Sequence, residues 1–298
     1  SIKTWSIPTS PRNPYKLSDE LMLLAKFEGK KWDKETQGLY AHKLGESEFY
    51  KGKIYAKEPD FSARDRINRS PKTFGFVRFD NGNKIKITPA GKQLIEKENL
   101  SDLFLRQLLK WQYPSVKHGG ESYAGFQIRP FLEILRLAHE LKGLTKREIA
   151  IFGVTLINYK DYANTKKEIL EFRKGLASLS NARDRKVFTI KTHIERYKKV
   201  YASEIKSGTI KLREQKGKTP SVEDFLKTKM RNSIDYADAA IRYFRATGLF
   251  TISARTFRLG ILDTKTQIAE AILKSAPREP ADFTKDPSSF LDFLEKLA

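Results

Sequence analysis

The chain has no cysteine, only two methionines and four histidines, and far fewer acidic than basic residues: 36 Asp and Glu against 57 Lys and Arg in 298 residues. Without cysteine there is no disulfide scaffold, no thiolate nucleophile and no thiolate zinc site, and nothing that calls for an oxidising compartment. No apolar run approaches the ~18 residues of a membrane span. The first residues, Ser-Ile-Lys-Thr-Trp, lack the apolar stretch of a signal peptide. These absences lead us to expect an intracellular protein. What is present is 39% hydrophobic and 11% aromatic residues, enough for real cores and too much for a disordered basic tail. The length suggests about two domains. A net charge of +21 repels itself unless it meets a polyanion. Membrane-surface binders concentrate charge on one amphipathic helix. Here Lys and Arg are spread along the chain, which favours nucleic acid and no membrane partner.

Pro8, Pro11 and Pro14 cannot propagate a helix, so residues 1–16 are predicted to form an extended arm. Helices are predicted over 18–28 and 34–44, and a short one over 61–69 after Pro59-Asp60. Residues 74–79 and 84–88 alternate as strands around Asp80-Asn-Gly-Asn83, a strong hairpin turn. Pro89 opens another helix at a position it tolerates. Helix, hairpin, helix is the layout of a winged helix-turn-helix. Helices are expected at 101–113, 128–141, 145–157 and 164–176, with Thr145 and Glu148 as a capping box. Residues 183–218 are basic and weakly patterned, with breaks at Ser207-Gly208 and Lys216–Pro220. Ser221 caps a helix to about 246, which Gly248 ends. A strand pair at 249–252 and 256–259 and a helix to about 274 repeat the first order. Past Pro277-Arg-Glu-Pro280, the apolar residues of 281–298 face nothing obvious.

Between 64 and 92 there are eight basic and two acidic residues. Base readout needs Arg forks and Asn on an element that enters the major groove; Lys and backbone donors hold phosphates. Arg64, Arg66, Asn68 and Arg69 are therefore the first choice for base contacts. Lys72, Arg78, Lys84, Lys86 and Lys92 are the first choice for phosphates. The bland alternative is a solvated helix with Asp65 pairing an arginine. On the helix after Ser221, Lys227, Lys229, Arg231 and Asn232 are the second choice for bases. Arg231 with Asp235 and Asp238 with Arg242 can pair at i,i+4, and Arg242 and Arg245 are phosphate candidates. Lys110-Trp-Gln-Tyr-Pro-Ser-Val-Lys117 interleaves bases with aromatics, which makes Lys110 and Lys117 further phosphate candidates. Trp111 and Tyr113 are expected in the core. Arg12 and Asn13 on the arm are expected to reach an adjacent groove.

Magnesium nucleases commonly carry Pro-Asp, a spacer, then Asp/Glu-x-Lys. Pro59-Asp60 has no such partner in the next thirty residues. Asp263-Thr-Lys265 lies far from any Pro-Asp and suits a helix cap. The histidines, His42, His118, His139 and His193, show no metal spacing. We therefore expect no catalytic or metal site in this chain.

Ser10-Pro-Arg12, Ala63–Ile67, Pro71-Lys72 with Gly75-Phe76, Ile87-Thr88 with Ala90-Gly91, Lys110–Ser115, and Lys227–Asn232 with Arg242–Arg245 resemble the N-terminal part of the AlwI, PleI and MlyI group. These are bacterial type IIS restriction endonucleases related to BstNBI nicking enzymes. The resemblance covers nearly the whole chain. It implies two winged-helix recognition subdomains, a helical linker and a magnesium-dependent nuclease domain. Members read short asymmetric duplex sites of about five base pairs by their base edges. The fold expected is mainly α with small β-hairpin wings (α+β). The expected division is arm plus first winged-helix subdomain at 1–100, helical connection plus second at 101–276, and the start of a linker at 277–298. The chain is read as a recognition fragment that lacks the nuclease half and binds double-stranded DNA as a monomer. It is expected to use no small-molecule cofactor, magnesium belonging to the parent, and to sit on the nucleoid in the cytoplasm. The alternatives are a winged-helix transcriptional regulator and a complete nuclease with an unrecognised site.

Overall fold

The computed structural model describes all residues except Ser10, 51–58, Glu214, Lys216 and 297–298, and only the backbone of 59–62. The expectations that fall on Ser10, Lys216, Leu297 and the Pro59–Asp60 side chains lie outside the described residues. The chain is mainly helical with two small antiparallel sheets.

The first unit begins with α1 (Leu17–Ala25), which buries Leu17, Leu21 and Leu24 at helical spacing. Lys31 then makes a single antiparallel bridge to Lys84. Asp33 caps α2 (Lys34–Glu46) by accepting from the Thr36 N–H. Next come α3 (Pro59–Asn68), the one-turn α4 (Ser70–Thr73) and a hairpin of β1 (Val77–Asp80) and β2 (Lys84–Ile87). The hairpin turn expected at Asp80–Asn83 forms; positive φ falls on Gly82 and Asn83, one residue past the two central positions of an Asn81-Gly82 type I′ turn. Thr88 caps α5 (Pro89–Glu96). A Cβ on Gly91 would lie 2.1 Å from the Phe76 carbonyl oxygen, so helix and hairpin approach as only glycine allows.

After α6 (Leu100–Lys110) comes an irregular segment. Helix was expected to 113, but Trp111 is extended, and Pro114 disfavours helical geometry at Tyr113. The second unit starts with α7 (Pro130–Glu140), followed by β3 (Leu144–Thr145) and α8 (Lys146–Glu148). Both bonds of the expected Thr145–Glu148 capping box are present. A π-turn follows at Ile149–Gly153, short of the expected 157. The arm explains the stop: Trp5 donates its backbone N–H to Val154 O and its indole N–H to Gly153 O, carbonyls a longer helix would use.

Three helices then intervene, α9 (Tyr162–Ala177), α10 (Ala182–Val200) and α11 (Ala202–Ser207), before the long α12 (Val222–Ala246). The hairpin of β4 (Phe250–Ile252) and β5 (Arg258–Ile261) completes a sheet in the order β3-β5-β4. The helix counts differ, with α2, α3 and α4 before the first hairpin and α8 to α12 before the second. What the two units share is that the last hairpin strand pairs with an earlier segment, β2 with the single residue Lys31 and β5 with β3. α13 (Thr266–Ser275) and α14 (Pro287–Glu295) end the chain.

One continuous core runs through both units. Trp5 and Ile7 are fully buried in it, so the first residues of the arm are structural; Trp5 packs on Trp111 and Phe244. Tyr243 of α12 hydrogen-bonds Ser70 at 2.8 Å and packs on Phe74, which joins the second unit to the first. The tail does not face empty space, contrary to expectation. Phe290 and Leu294 are buried, Leu294 lies against Gly75, and its carbonyl accepts from Gln107 Nε2 at 2.7 Å. Gln107 lies 187 residues upstream and Gly75 farther still, where no local pattern could reveal them.

Candidate nucleic-acid interface

In the first unit α3 buries Ala63 and Ile67 and exposes Arg64 and Asn68. Arg69 pairs with Asp65 at 2.6 Å, one turn away. Arg66 points inward instead. Its side chain is 11% exposed, stacks over the Tyr50 ring and pairs with Glu20, which is 3% exposed. Burial holds the Glu20 carboxyl above its usual range, and the Arg66 guanidinium opposes that rise.

Beside this helix, Lys72 lies 4.4 Å over the Phe79 ring, and desolvation lowers its ammonium. Lys117 Nζ donates to Thr73 Oγ1 at 2.9 Å and to Arg69 O; desolvation, with repulsion from Lys72 and Arg69, lowers it to about 8. Lys110 is buried and donates to the Lys296 carbonyl at 2.8 Å; desolvation lowers it to about 8. Arg78 is also engaged, by Asp292 at 3.0 Å, Glu295 at 3.3 Å and Asp80 at 3.8 Å. Burial pushes the Glu295 carboxyl up to about 7, against the pull of Arg78 and Lys86. A cavity of about 450 Å³ opens between these groups, walled by α4, β1, residues 110–118 and α14. Lys84 and Lys92 are exposed and Lys86 is half-buried; none has an ion pair among the described residues. Trp111 and Tyr113 lie in the core as expected.

In the second unit Lys227 pairs with Glu223 at 2.6 Å, and Lys229 sits over the Tyr201 and Phe225 rings, where desolvation lowers it. Arg231 is exposed and Asn232 half-buried. Of the two expected i,i+4 pairs, Asp238–Arg242 forms at 3.1 Å. Arg231 and Asp235 form none among the described residues, and this pair is corrected. The start of α12 packs on a small separate core of Tyr197, Tyr201 and Ile210. Its end meets the arm: Asn13, Tyr15, Arg242 and Arg245 line one cleft of about 370 Å³. Arg12 is exposed beside it. Lys227 and Arg245 are about 27 Å apart along the helix at ~1.5 Å per residue, so the α12 candidates fall into two separate groups.

The sequence reading did not single out the β4–β5 turn. Arg255, Phe257 and Arg258 stand there without an ion pair or ring contact among the described residues. The readable signal was an aromatic flanked by arginines between two short strands. Among the described residues no group of three His, Asp or Glu is placed to hold a metal ion, and no helix is long and apolar enough to cross a membrane.

No curated protein matches the sequence. Among solved structures, the chain resembles the BpuJ1 endonuclease binding domain, crystallised in complex with pyrene- and phenanthrene-modified DNA. The TM-score is 0.55 at 14% identity, over 99% of this chain and 95% of that one. At that identity the likeness is one of fold. The family model of the AlwI restriction endonuclease matches residues 72–290, from within α4 into α14, which takes in the first hairpin and the whole second unit and leaves α1, α2 and α3 outside. The protein belongs to the AlwI restriction endonuclease family.

Proposed function

We propose that this chain recognises a short asymmetric site in duplex DNA, of about five base pairs read by base edges, as the recognition part of a type IIS restriction or nicking endonuclease. The observation that carries this reading is the pair of helix-and-hairpin units. Each sets exposed cations or amides on a helix that precedes a hairpin: Arg64 and Asn68 on α3, with the half-buried Arg69 just after it, and Arg231, Arg242 and Arg245 on α12. Family membership supports it, as does the fold shared with an endonuclease binding domain whose structure contains DNA. Both units are read as winged helices embracing one duplex, with the protein acting as a monomer.

Arg64, Asn68 and Arg69 are the leading base contacts, and Arg66 positions α3 through Glu20. Lys227, Lys229, Arg231 and Asn232 are the second group, and Arg12 and Asn13 follow an adjacent groove. Lys72, Lys84, Lys86, Lys92, Lys117, Arg242 and Arg245 hold phosphates. Arg78 and Lys110 join that set only when α14 gives them up. Cleavage is assigned to a magnesium-dependent nuclease domain outside this chain, because the Pro-Asp and Asp/Glu-x-Lys pattern is missing here. Selecting bound duplexes from a random pool tests the reading. Enrichment of one asymmetric motif is expected. Palindromic half-sites point to a dimeric regulator, and no enrichment overturns specific recognition.

A further inference from the structure

Phe257 occupies a position that folding alone does not explain. It is 74% exposed, the most exposed large apolar side chain among the described residues. Its φ is +55°, in the left-handed region that disfavours a side chain with a Cβ and suits Gly or Asn. A hydrophobic ring is thus held in water on a disfavoured backbone. Such outliers cluster where a surface makes contact with a ligand.

The turn that presents it is well tied. Ser253 N–H donates to Arg258 O at 3.0 Å, Phe257 N–H to Ser253 O at 2.8 Å, and Thr256 N–H to Ser253 Oγ at 3.3 Å. Below the turn, β5 lies between β3 and β4, Leu259 is buried, and Phe250 packs on Phe131 and Phe244. The ring therefore projects from a braced hairpin. Its chemical setting is one-sided: from Gly248 to Leu262 there is no acidic residue, and Arg255 and Arg258 flank the ring. Ile252, 37% exposed, adds apolar surface at the base of the turn. A partner must then offer both negative charge and a flat apolar face. Stacked base pairs between phosphates offer both, and proteins that kink DNA insert such apolar wedges from the minor groove with arginines beside them.

We propose that the β4–β5 turn enters the minor groove of the bound duplex and inserts Phe257 between two base pairs, with Arg255 and Arg258 on the flanking phosphates. This rests on the DNA-binding reading above. It predicts a kinked site and adds a contact surface remote in sequence from α3.

The test uses the full chain as wild type, Phe257→Ala and Phe257→Trp, with duplexes enriched by selection and carrying 2-aminopurine at successive positions. Thermal unfolding confirms that each variant is folded. Wild type and Phe257→Trp should raise 2-aminopurine fluorescence at one step. Phe257→Ala should abolish that rise and weaken binding roughly tenfold, the scale of one stacked aromatic. Equal binding and an unchanged fluorescence profile for Phe257→Ala overturn the wedge. So does wild-type binding with no unstacked step at any position, or binding of Phe257 to anionic vesicles in preference to duplex. If wild type binds no duplex, the DNA-binding reading falls and the wedge with it.

Discussion

Each hairpin follows a run of helices and pairs its last strand with an earlier segment, Lys31 or β3, but their surroundings differ. The first ends in a polar Asn-Gly-Asn tip, and its Arg78 is neutralised by Asp80, Asp292 and Glu295. The second carries Arg255 and Arg258 with no ion pair among the described residues and an uncovered Phe257 at its turn. The difference teaches that topology places a hairpin but its neighbours decide what it can offer. On the first hairpin Arg78 is used for cohesion with α14, whereas Arg255 and Arg258 of the second have no ion pair among the described residues.

The sharpest way to break this comparison is at the most committed cation. Arg66→Ala leaves Glu20 buried without its guanidinium and should cost about 3 kcal/mol at neutral pH. The Glu20 pKa is already raised, so the folded state holds its proton more tightly than the unfolded one. That contribution is present at low pH and fades as pH rises, so the penalty of Arg66→Ala should shrink towards pH 5. Urea unfolding at pH 7.5 and 5 checks both. A loss of duplex affinity without a loss of stability would instead make Arg66 a base contact.

The second hairpin responds in the opposite sense. Phe257→Asn suits the left-handed backbone and should leave stability unchanged or raise it by up to about 1 kcal/mol, while weakening duplex binding roughly tenfold. Calorimetry and a binding titration separate the two effects.

A smaller effect concerns how firmly α14 holds the first hairpin. Glu295 is raised to about 7, so its proton is bound more tightly when α14 is docked. Docking should be strongest near pH 5 and weaken as pH rises through 7, with Arg78 and Lys86 limiting the loss and Asp80 and Asp292 adding to it. Hydrogen exchange of the α14 amides at pH 5.5 and 8 should show a few-fold loss of protection.

The smallest effect is expected from Phe290→Ala with Leu294→Ala, which removes the apolar anchors of α14. Freeing Arg78 and Lys110 should steepen the salt dependence of duplex binding by about 0.9 in log–log slope for each that reaches a phosphate. An unchanged slope would mean that neither faces the duplex.

Much of the fold was legible because its signals are local. The Thr145–Glu148 capping box, the Ser221 cap, the Asn-Gly turn and the Gly248 stop each depend on residues within one turn of each other. The helix over 182–200 was harder to read, because it buries only His193 and Tyr197 and so shows little periodicity. The candidate site was legible as composition, not as arrangement. Arg64, Asn68, Lys84 and Lys92 do lie exposed. Arg66 and Arg78 look equally available in sequence, yet Glu20 lies 46 residues from Arg66, and Asp292 and Glu295, which hold Arg78 together with nearby Asp80, lie more than 200 residues from it.

By itself the sequence determined the excess of positive charge, most helix boundaries and both hairpins, because these follow from composition and from contacts within a few residues. Tertiary structure alone decided which cations are spent on carboxylates, that Trp5 and α14 lock onto the first unit's neighbours, and that Phe257 is left uncovered. Local pairs such as Asp238–Arg242 follow from i,i+4 spacing, but the pairs of Arg66 with Glu20 and of Arg78 with α14 depend on distances across the fold that no spacing along the chain encodes.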